Sequence, residues 1–455
     1  MQPGARLPVP TLAALAAASV ILIAVYPGFM SYDSVYFLHE ARTAVQGGDY
    51  PPFVSYVWRV LDAIWPGPAL MLFAQNFLLV LGFATILRTL RYSGPSIVAG
   101  VALFCVAPPL LGPMLVVWKD VDVSACLCAA VACFLVADGA PKPRLAIVAG
   151  IVLLFAGAAY RLNAISAVVP LVAWYSWRRG FIGLPRRRAS TIGVSTFAGI
   201  VLAVVVVNGY RFPDLERLPS PGGLKNVMVH DLVAMSALTG KSLVPETTPP
   251  SITDDQIEYY RRIYDPRHVN LVMANDREGR IEKFFHVKDS VVYSAFLAAI
   301  REEPEAYARH RTTVFRTLVG ATSGSTFIPT HSGVDPNEEG VMHRPTPFTR
   351  AVVGYVWIAS FALPGKPWLY YMLGAGAFAF ALLRRGTSAR CAAVAVATSG
   401  AFYLLPLYFV TPAADVRYNH WSIVCAVLVV AMAFAPRSAP SAARYRGPGS
   451  NAVIS

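Results

Sequence analysis

Apolar residues along this chain come in long runs separated by short polar or basic segments. The runs fall at about 9–27, 68–87, 95–113, 122–138, 145–160, 163–177, 189–208, 367–383, 391–411 and 419–435, close to the roughly 20 residues a helix needs to cross a hydrocarbon core. The pattern predicts an all-α polytopic membrane protein with about ten transmembrane helices. The first run is long and no clear small-residue cleavage site closes it, so it reads as a retained span and not a signal peptide. A shorter run at 351–364, rich in aromatics and closed by Pro364, suits an interfacial or re-entrant helix.

The polar segments divide the chain. An N-terminal membrane domain, 1–208, carries a first external loop at 28–67; an external, mainly helical soluble region covers 209–349; membrane helices occupy 350–436, and a basic tail 437–455 follows. Within the soluble region, 253–264 and 279–320 have helical character, and Pro304 followed by Glu305-Ala-Tyr-Ala-Arg309 reads as a helix start. Segments 211–223 and 321–348 are rich in Pro, Gly, Ser and Thr and read as loops. Pro51-Pro52 and Pro249-Pro250 mark tight extended turns.

Composition agrees. With 55% hydrophobic residues, 14% charged and a mean hydropathy of +0.50, a soluble protein of this length would have too little polar surface. The net charge of +13 collects between the runs, at Arg88/Arg91, Lys142/Arg144, Arg178/Arg179, Arg186/Arg187/Arg188, Arg384/Arg385/Arg390 and Arg437/Arg444/Arg446. That is a positive-inside topology with both ends cytoplasmic, not a nucleic-acid footprint. The six cysteines lie in or at the edges of apolar runs, so no disulfide framework is expected in the exposed part. The short basic loops hold no phosphate-binding glycine motif, which weighs against nucleotide chemistry from the cytoplasm.

Candidate chemistry gathers on the other face. Asp33 opens the first external loop, with His39, Glu40 and Arg42 close behind as support. A helix starting near Ser31 would place Asp33, Phe37 and Glu40 on nearby faces; a solvated first-turn carboxylate is the plainer alternative. Lys119 and Asp120 sit where the third run ends and the fourth begins, either as site residues or as a snorkelling lysine with its counter-ion, and Asp122 competes for any carboxylate role. Arg161 stands between two apolar runs on the external side, against the positive-inside bias, where its planar fork could hold a lipid phosphate. Arg417 raises the same question, with neighbouring Asp415 as a simple ion-pair partner. The external histidines, including His230 beside Asp231, show no close metal-ligand spacing and read as structural or solvent-exposed.

An early span followed by Ser31-Tyr-Asp33-Ser, His39-Glu40-Ala-Arg42, Tyr50-Pro51-Pro52, Lys119-Asp120 and Tyr160-Arg161-Leu-Asn163 resembles the GT-C superfamily of multi-span glycosyltransferases, nearest to uncharacterised bacterial members. The likeness is best over about 1–180; Pro304 to Arg311 and Arg417-Tyr418 extend it. The resemblance implies transfer of a sugar from a polyprenyl-phosphate donor to a lipid, glycan or protein acceptor, at the external or periplasmic face of a bacterial inner membrane. It carries the family's first-loop carboxylate onto Asp33 and its second acidic residue onto Asp120. Lys119, Arg161 and Arg417 would then bind the donor phosphate. The Asp-Glu pair of some branches is Asp33-Ser34 here, so no cofactor is assigned and a divalent metal is left open.

Two other classes compete. A transporter or flippase of a lipid-linked or anionic substrate would also want boundary arginines, but with polar or broken helices near the midplane. A non-catalytic envelope assembly protein would use 209–349 as a binding surface. The orientation itself is testable: in a background without native cysteines, Asp254→Cys or His331→Cys should react with a membrane-impermeant thiol reagent added to intact cells with a permeable outer barrier. Labelling only after the inner membrane is opened would reverse the topology.

Overall fold

The computed structural model describes residues 7–436 except 44, 48–49, 141, 182–184, 210–216, 219–222, 246–253, 282–285 and 384–386. The basic tail at 437–455, Arg384/Arg385, the Pro249-Pro250 turn, most of the 211–223 segment and the side chains of Arg178 and Arg179 lie outside the described residues. Regular structure is helical apart from a two-residue parallel pairing of Gln46-Gly47 with Arg217-Leu218.

The N-terminal half is built from α1 (Val9–Val25), α2 (Tyr32–Thr43), α3 (Phe53–Ile64), α4 (Ala69–Thr89), α5 (Gly94–Val106), α6 (Pro108–Met114), α7 (Lys119–Gly139), α8 (Arg144–Tyr160), α9 (Ile165–Phe181) and α10 (Arg186–Gly209). Helices Pro367–Leu383, Thr387–Leu404, Leu407–Val410 and His420–Ala433 complete the membrane part. Every apolar run expected to span is helical. Among the described residues five helices are long and apolar enough to cross a membrane, or six if the bent α5–α6 pair counts as one span. The others, α1, α8, Leu162–Trp177 and Pro367–Leu383, are shorter apolar helices, so the full ten spans expected from the runs are not established.

The run at 95–113 is not one straight helix, as its apolarity suggested: α5 and α6 meet at a bend of 75°. Pro108 and Pro109 remove two backbone donors, and a residue before proline is pushed out of the helical region; Ala107 is extended accordingly. Pro108 then occupies the first position of α6, where a missing donor costs nothing. Beyond α6 the chain stays irregular through Trp118, yet it is buried, so its carbonyls need partners. Side chains supply them: Asn76 donates to Met114 O at 2.9 Å, Gln75 to Val116 O at 2.8 Å and Ser34 to Val117 O at 2.6 Å. Val117 N donates to Phe29 O at 3.0 Å. These bonds fix the start of α7 beside the start of α2.

α7 is the central helix, packed against α4 and α8. Small residues permit the approach, as expected where helices associate by close packing. A Cβ on Gly82 of α4 would lie 2.8 Å from the backbone nitrogen of Ala129 in α7.

The external region has its own core. It comprises α11 (Gly223–Thr239), which the sequence pattern left unassigned, α12 (Asp254–Ile263) and α13 (Val269–Asn275), with helices Asp289–Glu302 and Pro304–Leu318. They bury Leu232, Val233, Tyr259, Tyr260 and Ile263. Within the expected helical stretch 279–320 the described residues include helices Asp289–Glu302 and Pro304–Leu318, and the 321–346 segment is loop. Helix Pro347–Phe361 matches the expected short apolar helix, with Ile358 and Phe361 exposed.

Gly82→Ala should push α4 and α7 apart and lower the detergent melting temperature, as overpacking by about 1–3 kcal/mol does. Gly354→Ala, with nothing within 4 Å of the new Cβ, serves as the silent control. Equal melting of the two variants would show that the α4–α7 contact is not this close.

Candidate active site

Asp33 lies in the first turn of α2, where a solvated carboxylate was the plainer alternative to a site role. The structure gives it partners instead. Asp33 Oδ2 pairs with Arg417 Nη1 at 2.7 Å, and its other oxygen accepts from Tyr50 Oη at 3.0 Å. Arg417 is shared, its Nε lying 2.8 Å from Asp415. Asp415 is thus not an alternative to a site role for Arg417 but the second arm of the same arrangement.

Lys119 and Asp120 form the first turn of α7, delivered by the irregular segment after α6. The Lys119 ammonium stands 4.1 Å from the centre of the Tyr50 ring and 5.1 Å from that of Phe37. Asp120 is buried and ion-paired with Arg161. Arg161 is extended, between the end of α8 and the short helical turn Leu162–Ala164, and its guanidinium lies 4.1 Å from the Tyr418 ring centre. Arg417 meets the same ring at 5.3 Å and Trp118 at 4.7 Å. Asp120 reaches the cluster and Asp122 does not: Asp122 is buried within electrostatic range of Tyr160 and Cys126, and it pairs with no site cation among the described residues.

Three cations, Lys119, Arg161 and Arg417, therefore interleave with three carboxylates, Asp33, Asp120 and Asp415, between the aromatic faces of Tyr50, Trp118 and Tyr418. Burial alone would raise the Asp33 carboxyl, but Arg417, Lys119 and the Tyr50 hydrogen bond outweigh it and bring it down to about 2. Its contribution to stability is present above the usual carboxylate range and lost as pH falls towards 2. Burial and the Asp33 carboxylate push the Tyr50 phenol far above its ordinary range, so it acts as a donor.

The proposed support residues do different work. His39 and Arg42 pair with Glu339 at 2.7 and 3.0 Å, and Arg42 also pairs with Asp62 at 2.9 Å. They tie the first loop to the 321–346 loop and stand outside the charge cluster. Glu40 is buried and accepts a hydrogen bond from Ser55. Burial, only partly offset by Ser55, Tyr36 and Lys119, lifts its carboxyl to about 7.

One arrangement escaped the sequence. Arg311, fully buried, donates to Asp231 through Nη2 at 2.5 Å and to Thr411 O through Nη1 at 2.8 Å. His310 meets the other Asp231 oxygen at 3.0 Å. With Val269 N donating to Pro412 O and Ala414 N to Arg267 O, this buried pair clamps the external helices onto the loop that carries Asp415 and Arg417. His230 and His310 are both buried, with His230 Nε2 2.8 Å from Asp265 O. A polar pair at the helix positions of Asp231 and Arg311 was the available signal, but nothing in their spacing connects them. Among the described residues no group of three or more His, Cys, Asp and Glu is arranged to hold a metal ion.

No family model, curated protein or solved structure matches the chain.

Glu40 yields a test with a definite sign. Its folded value of about 7 lies above the ordinary 4.5, so the unfolded state loses its proton first and stability falls as pH rises between these values. The drop should be roughly 2–4 kcal/mol. In detergent, wild type should melt progressively lower across that window and Glu40→Gln should not. Parallel curves would mean that Glu40 ionises freely.

Proposed function

We propose that this protein is a membrane glycosyltransferase. It moves a sugar from a polyprenyl-phosphate donor to a lipid, glycan or protein acceptor, on the non-cytoplasmic face of a bacterial inner membrane crossed by about ten helices. One observation carries the reading: Asp33, Lys119, Asp120, Arg161 and Arg417, far apart in the chain, meet at one end of the bundle.

The chemistry follows from that cluster. An acceptor hydroxyl attacks the anomeric carbon, the bond from that carbon to the phosphate oxygen breaks, and its electron pair leaves on the phosphate. Lys119, Arg161 and Arg417 supply the positive charge that stabilises this leaving group. The hydroxyl proton goes to Asp33. While Arg417 neutralises it at 2.7 Å, Asp33 is a weak base. A donor phosphate engaging Arg417 would take over as its counter-ion and return the carboxylate towards ordinary basicity, so the base is armed as donor binds. Asp120, paired with Arg161, fits a role in holding that guanidinium for the phosphate.

The bent α5–α6 pair is the feature that would favour a transporter. Beside the bend Tyr355 Oη donates to Val106 O at 2.7 Å, and the irregular chain beyond α6 is met by Asn76, Gln75 and Ser34, which supports a structural role for the break. An assembly protein would need no such balanced charge cluster.

A transfer assay with purified protein and a panel of polyprenyl-phosphate sugars tests the reading. Asp33→Asn should lower the rate by about 10²- to 10⁴-fold at saturating donor, and it should also cost some stability because the Arg417 pair is lost. Arg161→Lys keeps charge but loses the fork, and should raise the donor KM more than it lowers kcat. Wild-type rates in Asp33→Asn would remove it as the base. No transfer from any donor by wild type would point to the transport or assembly readings.

A further inference from the structure

The groove between α9 and α10 lies away from the charge cluster. α9 carries the chain from the Arg161 turn to the far end of the bundle, and α10 returns from Arg186. Between them the two helices leave a groove of about 480 Å³. Its walls are apolar: Val169, Val172, Val194 and Phe197 line it, with Trp177 65% exposed at its rim.

Two polar features do not fit a simple gap between helices. Ser176 lines the groove, is only 3% exposed, and its hydroxyl has no hydrogen-bond partner among the described residues. A buried hydroxyl left unpaired costs free energy unless something else meets it. Gly193 faces it from α10, where a Cβ would come within 2.8 Å of Ser176 Oγ. Arg186 closes the same groove and makes no ion pair among the described residues. Arg187 and Arg188 follow it in the first turn of α10, at an end where the helix dipole gives no reason for a cation.

Dimensions narrow the occupant. From Arg186 to Phe197 the helix rises roughly 16 Å, about half of a hydrocarbon core of about 30 Å. The groove thus runs the depth of one leaflet, with a cation at its headgroup end and a hydroxyl donor below it. The arginine-rich end is the cytoplasmic one by the charge rule, and the cytoplasmic leaflet is where anionic phospholipids give basic inter-helix pockets their ligands.

We propose that this groove is a binding site for one anionic phospholipid of the cytoplasmic leaflet. Its phosphate pairs with Arg186, an ester oxygen accepts from Ser176, and an acyl chain fills the channel towards Val169 and Phe197. The site is independent of the chemistry at the opposite end, so it stands whether or not the protein transfers sugars.

Native mass spectrometry of the full-length protein in detergent, titrated with phosphatidylglycerol, phosphatidylcholine or a polyprenyl phosphate, tests it. Phosphatidylglycerol should be retained as a single discrete adduct over phosphatidylcholine. Arg186→Gln should cut that preference by about fivefold, the worth of one arginine near an anionic surface. Gly193→Leu should abolish the adduct by filling the channel, and Arg344→Gln, an exposed arginine of the 321–346 loop, should leave it unchanged. Melting curves confirm that each variant is folded; if Gly193→Leu is not, Arg186→Gln decides. Equal retention of the two phospholipids, or an unchanged adduct in Arg186→Gln, means lipid bound only as part of the general annulus and overturns the proposal. Polyprenyl phosphate retained more tightly than phosphatidylglycerol and lost in Arg186→Gln or Gly193→Leu overturns it too, since the groove would then belong to a prenyl carrier.

Discussion

The architecture of the site depends on how the protein satisfies a stretch of buried backbone that is not helical. Pro108 and Pro109 stop α5, and the chain from Met114 to Trp118 runs irregularly through the interior. Unpaired carbonyls there would be costly in a bundle shielded from water. Asn76 and Gln75 from α4, Ser34 from α2 and the extended Phe29 backbone meet them one by one. The partners come from three parts of the chain, so satisfying the backbone also docks α2 and α4 against the entry to α7. That docking brings Asp33 and Lys119 to one place.

Charge is handled in the same economical way. Three guanidinium or ammonium groups and three carboxylates share a part-buried space, and the aromatic rings between them accept cation faces. Buried ion pairs contribute little net stability, because desolvation offsets their attraction. In the proposed reaction this arrangement would serve as preorganisation, since cations held in place at the start need no reorganisation when a phosphate arrives. In that proposal Asp33 and the phosphate would compete for Arg417, linking donor binding to base strength.

The external helices belong to this site although they contribute no residue to its charges. Arg311 and Asp231 are buried together, and the guanidinium reaches Thr411 O. Asn419 Nδ2 donates to Leu318 O at 2.5 Å from the other end of the same loop. The loop bearing Asp415 and Arg417 is therefore held from outside the membrane part as well as by the helix that follows it.

The apolar runs made the helical, membrane-type architecture legible, because a hydrophobic segment of sufficient length has few other stable states. They also marked Asp33, Lys119, Asp120, Arg161 and Arg417, since ionisable groups at the ends of such runs are rare and costly. What local pattern could not reveal was who pairs with whom. Asp33 has no basic neighbour in sequence, yet its partner is Arg417; Arg161 finds Asp120, and not the equally near Asp122, because only one face of the first turn of α7 points to the cluster. The bend in the 95–113 run was signalled by its prolines, but nothing local showed which side chains would meet the carbonyls of the irregular chain beyond it. The fold of the external region was the least readable, because α11 is buried on nearly every side and carries no clean periodicity. Hydrophobic length is a local property and survives in the sequence; ion pairing and carbonyl satisfaction join residues from tens to hundreds of positions apart, and only the packed tertiary structure decides them.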